Sequence, residues 1–227
     1  MKRVPAPILD IKNLSVFSNE SPLLQNISFS LKKYSILGII GESGSGKSLT
    51  ALSILNILKY KGLKQFGDII YNEDNITSYD SNQFRDFLKK DIGIIFQDPS
   101  SYLNPSMKCG DQMLEVINQK SSKDFLSEIL KKVKFSNPKE ILNRYPHELS
   151  GGQKQRIMIA MMIAKNSKII ICDEATSSLD ALIKKEIIEL LLDLKKEFEL
   201  SMIFFFHNLK IIHKICDSLI FDGHCLQ

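Results

Sequence analysis

Nowhere in the 227 residues is there an apolar run long enough to cross a membrane, and the N-terminal MKRVPAPILDIKN carries charge without an apolar core or a cleavage signal. The expectation is a cytosolic protein whose membrane role, if any, comes through a partner. The four cysteines, Cys109, Cys172, Cys216 and Cys225, show no CxxC spacing, which argues against a disulfide framework and for reduced thiols used as small core residues. His224 stands beside Cys225 without a further ligand cluster, so the pair is left out of the chemistry. Charge of one sign is not concentrated either: the net +4 is spread over scattered lysines, a solvated surface accounts for it, and nothing calls for nucleic acid. Internal repeats and low-complexity segments are missing as well. What is present is ordinary globular composition, 44% hydrophobic and 25% charged, enough for one large domain or one domain with an insertion.

The order of elements is legible from periodicity. IKNLSVF and NISFSL alternate as half-buried antiparallel strands, and YSILGIIG is a continuous apolar run that reads as a buried strand. SLTALSILNILKY has helical spacing. GDIIYN, QFRDFLKK and DIGIIFQD give strand, helix and strand. Residues 100–148 are more polar and lysine-rich, with helical spacing in DQMLEVI and FLSEILKKV, and are taken as an inserted helical subdomain of a single domain over 1–227. From Ser150 the sequence reads helix, strand (KIIICDE), helix (ALIKKEIIELLLDLKKEF), strand (SMIFFFHN), helix (LKIIHKIC) and a final strand (SLIFD). That alternation predicts an α/β fold, a mostly parallel sheet with helices on both faces beside an N-terminal antiparallel β-subdomain.

Between the buried strand and its helix lies GESGSGKS, matching G-x-x-x-x-G-K-[ST] at every fixed position. Backbone N–H groups of Gly41, Glu42, Ser43, Gly44, Ser45 and Gly46 are expected to turn inward around a β-phosphate, with the helix N-terminus at Lys47, Ser48 and Leu49 adding its positive dipole end. Lys47 then reaches the β- and γ-phosphates and Ser48 ligates Mg²⁺. KIIICDE ends a buried strand in two carboxylates; adjacent strand residues face opposite ways, so Asp173 is assigned to the metal and Glu174 to polarising the attacking water. LSGGQ builds a second anion-binding helix start without its own lysine or acid pair, and the simplest resolution is that it completes a site on another copy or a related chain, two such subunits facing head to tail.

GESGSGKS, Gln97 in IIFQDPSSYLNP, LSGGQKQR, IIICDEATSSLD and His207 in FFFHN stand in the order and spacing of the ATP-binding-cassette (ABC) ATPases, which the chain resembles over nearly its whole length. QDPSSYLNP and RYPHELSGGQ look like the importer branch that handles dipeptides, oligopeptides and nickel, and GKSLTALSILNILKYKGLKQFGDI reads slightly closer to the nickel-type subunits. By that resemblance the fold is a P-loop ABC-ATPase fold and the ligands are ATP and Mg²⁺. Gln97 is the lid-loop glutamine that senses the γ-phosphate and joins Ser48 and Asp173 at the metal. Ser150, Gly151, Gly152 and Gln153 contact the opposed ATP; Asp180 lies at the dimer seam; His207 bonds the γ-phosphate. Phe17 is the candidate for adenine stacking, with a plain surface or core phenylalanine as the other reading. The implied partners are two transmembrane permeases, a second ABC ATPase as identical copy or sister subunit, and indirectly a solute-binding protein. The implied location is the cytoplasmic face of the inner membrane, with the chain peripheral there and soluble when isolated.

Three departures from the family pattern bear on turnover: Asn208 where an acidic residue usually follows the histidine, Ala175 where a proline commonly follows the glutamate, and an end at Gln227 where peptide-importer relatives continue. Whatever the continuation carries is expected to be missing. The leading expectation is an ATP-hydrolysing transport motor; a soluble non-transport ABC ATPase and a nucleotide-gated regulatory subunit with weak hydrolysis are the alternatives. Glu174→Gln is expected to leave the phosphate contacts in place while removing the base, so that ATP is retained and the dimer stays closed; size-exclusion chromatography with Mg-ATP and the proper partner checks this, and a variant that stays monomeric sinks the shared-site account.

Overall fold

A computed structural model describes residues 6–42, 44–117, 122–173, 180–206, 215–221 and 224–226. The elements run β1 (Leu9–Ser18), β2 (Ser21–Leu31), β3 (Ile36–Ile40), α1 (Lys47–Ile54), β4 (Lys64–Tyr71), β5 (Asp74–Asn75), α2 (Ser81–Lys90), β6 (Ile92–Ile95), α3 (Cys109–Val116), α4 (Lys123–Lys132), α5 (Pro138–Asn143), α6 (Gly151–Ala164), β7 (Ile169–Asp173), α7 (Ala181–Glu197), β8 (Ser201–Phe206), β9 (Ser218–Phe221) and β10 (His224–Leu226). They fall into two compact units, Met1–Leu88 with Leu200–Gln227, and Lys89–Glu199.

In the first unit, β1 is the middle of an antiparallel sheet in the order β2, β1, β4, β5, with Leu9 opposite Leu31 on one side and Tyr71 on the other. Leu9, Ile11, Leu14 and Val16 of β1 are buried while the residues between them are open to solvent to differing degrees, the outcome expected of a half-buried strand. The second layer is parallel. All five residues of β3 are buried, and it pairs with β8 (Ile36 with Met202) and β9 (Leu37 with Ser218), with β10 added antiparallel to β9. The turn into β3 is fixed by two hydrogen bonds, from Tyr34 N–H to the fully buried Ser201 hydroxyl at 2.9 Å and from Met202 N–H to the Ser35 carbonyl at 2.9 Å.

The second unit holds the parallel pair β6 and β7, Ile92 opposite Ile169, with β7 buried as far as Cys172. Helix α6 packs on β6 and carries Ile157, Met158, Ile159, Ala160 and Met161 buried in succession, the all-round apolar character of a helix covered on every side. Helices α3, α4 and α5 pack on one another, and α3 and α4 reach α6 as well. Among the described residues, no helix is long and apolar enough to cross a membrane.

Some details differ from the sequence expectation, the two-residue strand β5 among them. The helix read through Tyr60 stops at Ile54, because Asn56 takes a left-handed φ of 50° and the chain resumes as a short 3-10 turn, Leu58–Lys61. Helix α5 went unread: it is six residues long and shows itself only by Pro138 in its first turn. SLIFD is not the last strand, since three residues, too few for a periodicity, form β10. Of the helix expected at LKIIHKIC, residues 209–214 lie outside the described residues, and Ile215 and Cys216 are not helical. Ser201→Ala is expected to strand the Tyr34 N–H and lower stability by about 1–3 kcal/mol, read as a shifted urea midpoint with unchanged slope; an unmoved midpoint would show that this bond does not hold the entry to β3.

Candidate functional site

The glycine-rich segment leaves the C-terminal end of β3, the buried strand held between β8 and β9, which is where ligands gather in parallel sheets. Its last glycine, Gly46, is the N-cap of α1 with φ 91°, a left-handed conformation that side chains resist. A Cβ there would lie 2.5 Å from Leu24 Cδ1, so β2 closes on the loop as well. Lys47, in the first turn of α1, is only 7% exposed. Its ammonium donates to the carbonyls of Gly41 and Glu42, both at 2.6 Å, and to the Ser45 hydroxyl at 3.3 Å. A buried cation must have such partners. Gly41 is buried, Glu42, Gly44, Ser45 and Ser48 are exposed and Leu49 is half-buried, so the outer rim of the loop faces solvent around a cation tucked beneath it. Ser43 lies outside the described residues.

Phe17 follows Val16, the residue paired with Leu24, and therefore stands one position along β1 from the pair that touches the loop. Its ring packs edge-to-face on Phe66 of β4, centroids 5.8 Å apart, half-buried and with Phe66 more exposed. No signal in the sequence paired these rings; the register of β1 on β4 does.

In the second unit, Ser150 caps α6 through a reciprocal box, Gln153 N–H to Ser150 Oγ at 3.3 Å and Ser150 N–H to Gln153 Oε1 at 3.0 Å. Ser150 and Gly151 are exposed and Gly152 is half-buried. A Cβ on Gly152 would sit 2.8 Å from Ile183 Cγ2, so this glycine is what lets α7 lie against the first turn of α6. Asp180 in turn caps α7, accepting from the N–H groups of Leu182 and Ile183, each at 3.1 Å. Ile183, which no sequence motif singles out, thus joins Asp180 to Gly152. Asp173 stands half-buried at the end of β7 and Gln97 is exposed just past β6. Glu174 and His207, with Ala175 and Asn208, lie outside the described residues. Cys109 and Cys172 are buried, and burial pushes the Cys216 thiol up to about 12, as expected of cysteines used for packing.

A buried lysine in a glycine loop at the end of a central strand, and a serine-capped helix start beginning with two glycines, are the parts expected of a cassette. A family model described as ABC transporter matches residues 24–177. The chain belongs to the ABC transporter family.

Among curated ABC relatives it is 36% identical over 223 residues to the oligopeptide transport ATP-binding protein OppD of Bacillus subtilis (strain 168), a match covering 93% of this chain and 62% of that protein. It is 37% identical over 221 residues to the metal-staphylopine import system ATP-binding protein CntD of Staphylococcus aureus (strain NCTC 8325 / PS 47), covering 94% of this chain and 81% of CntD. The chain therefore spans less than two thirds of OppD and about four fifths of CntD. Among solved ABC structures, cbiO1 from Clostridium perfringens, part of the transporter complex cbiONQ, superposes with a TM-score of 0.84 at 27% identity, covering 98% of this chain and 88% of cbiO1. The ATP-binding cassette MJ0796, solved as a dimer in a post-hydrolysis state with ADP and Pi, gives a TM-score of 0.78 at 25% identity, with 96% and 97% covered. The fold is thus that of an ABC cassette, with its parallel strands, helices and antiparallel N-terminal sheet.

Gly46→Ala places a Cβ in a left-handed position and against Leu24. It is expected to weaken ATP binding at least about tenfold while costing only ~1–2 kcal/mol of stability; calorimetric titration beside thermal melting separates the two effects, and unchanged affinity would show that the loop does not cradle phosphate.

Proposed function

We propose that this chain is the ATP-binding and hydrolysing motor subunit of an ABC importer, energising uptake of a small peptide or a metal such as nickel through two partner permeases at the cytoplasmic face of the membrane. The observation that carries the reading is Lys47: an ammonium 7% exposed, held by carbonyls of its own loop at a helix N-terminus, is built for a polyphosphate that replaces those carbonyls. The importer assignment rests on relatives whose names specify oligopeptide transport and metal-staphylopine import.

Within the reading, Gly41–Ser48 cradles the phosphates, Phe17 packs on adenine, and Glu174 polarises the attacking water. Ser48, Asp173 and Gln97 would hold Mg²⁺; the oxygen donors of these residues, with Ser48 exposed in the first turn of α1, suit a hard cation, whose chemistry is to neutralise charge on the transferring phosphoryl group. Ser150, Gly151, Gly152 and Gln153 meet the nucleotide of an opposed cassette, an arrangement favoured by the exposure of Ser150 and Gly151 and by the dimeric cassette among the structural neighbours. Asp180 sits at that seam and His207 bonds the γ-phosphate. A head-to-tail pair makes association depend on ATP, closure switches the permeases, and hydrolysis resets them.

The test is ATP hydrolysis by the purified chain, alone and mixed with a candidate sister ATPase, with Ser150→Arg to spoil only the opposed site. Activity that rises on association and falls at least about tenfold with Ser150→Arg is the expected result. ATP binding without turnover in every combination would overturn the motor in favour of a regulatory subunit.

A further inference from the structure

Gln97 is carried on a loop that is closed by a ring stack. Phe96, the residue after β6, and Tyr102 lie face to face with centroids 3.6 Å apart and planes 3° from parallel. Tyr102 is 57% exposed, so its ring belongs to no core and its packing partner is the residue next to Gln97. Between the two rings the loop is fixed from inside. Asp98 accepts from the Ser101 hydroxyl at 2.6 Å and from Ser100 N–H at 2.9 Å, and those two bonds, the hydroxyl foremost, hold its carboxyl below the ordinary carboxylate range. The Tyr102 and Leu103 N–H groups both return to the Pro99 carbonyl, at 3.3 and 3.1 Å. The closed loop is also tied to the helix that begins with the signature glycines: Lys154 Nζ donates to Ser100 Oγ at 3.1 Å and Gln155 Nε2 to the Phe96 carbonyl at 3.5 Å.

We propose that Tyr102 is a positioning residue for Gln97: stacked on Phe96, it holds the two ends of the loop together and so fixes where the Gln97 backbone presents its side chain to the nucleotide. The inference rests on the assignment of Gln97 to the ATP cycle. An aromatic residue left in water on a loop otherwise pinned by hydrogen bonds adds little to the core; stacked on Phe96 it limits how the backbone that carries Gln97 can move, and placement of a group at the reacting phosphate is what sets reaction geometry.

Four variants of the full chain, assayed with its sister ATPase, test this: Tyr102→Ala, Tyr102→Phe, Gln97→Ala and the Tyr102→Ala/Gln97→Ala pair. Tyr102→Ala is expected to lower kcat about tenfold or more with the KM for ATP within about twofold. Tyr102→Phe keeps the ring and restores kcat, and the pair is no slower than Gln97→Ala alone. A Tyr102→Ala enzyme as fast as wild type beside a slow Gln97→Ala, or losses that multiply in the pair, overturns the proposal. Wild-type kcat in Gln97→Ala overturns instead the assignment on which it rests. Amide exchange over residues 97–103 gives a readout that needs no turnover: faster in Tyr102→Ala and unchanged in Tyr102→Phe is expected, and unchanged exchange in both overturns the proposal outright.

Discussion

A lysine ammonium taken out of water must be given oxygen atoms, and in this protein the Gly41 and Glu42 carbonyls and the Ser45 hydroxyl supply them. The architecture of the first unit serves that arrangement. The loop can wrap the cation because Gly46 takes a left-handed turn, and it is held in place because it leaves β3, a strand buried along its whole length and paired on both edges. Leu24 of the antiparallel sheet closes on Gly46 from the other side. The carbonyls that hold the cation are neutral, and so are weaker partners for it than ionised oxygens.

The second unit shows a different economy, in which residues expected to touch ligand already serve the fold. Ser150 and Gln153 satisfy each other's backbone N–H groups, and Asp180 satisfies two at the head of α7. Helix starts capped in this way hold their shape through their own side chains. The contact between Gly152 and Ile183 links the two capped starts, and the tie from Lys154 and Gln155 to the loop at residues 96–102 adds Gln97 to the same body. Ser150, Gly151 and Gln97 are among the residues of this body that stand exposed.

Much of this was legible in the sequence, because glycine-lysine loops, strand-end acids and capped helix starts depend on neighbours in the chain. The buried run of β3, the alternation of β1 and the serine cap of α6 are local consequences of residue type and spacing, and they stand where periodicity put them. Short elements did not announce themselves: α5 and β10 are too brief to show a period, and the break at Asn56 depends on one residue accepting a left-handed backbone inside an apolar stretch.

The sequence by itself therefore determined the family, the glycine-rich loop that follows β3 and the order of the longer described strands and helices, since each follows from short-range pattern. Only the tertiary structure decided which side chains lean on these motifs. Leu24 meets Gly46 through sheet packing, Phe66 meets Phe17 through strand register, Ile183 meets Gly152 through the crossing of two helices, and Tyr102 meets Phe96 through the closure of a loop. None of these four contacts has a signature in spacing along the chain, because what brings each pair together is the shape of the backbone that surrounds it.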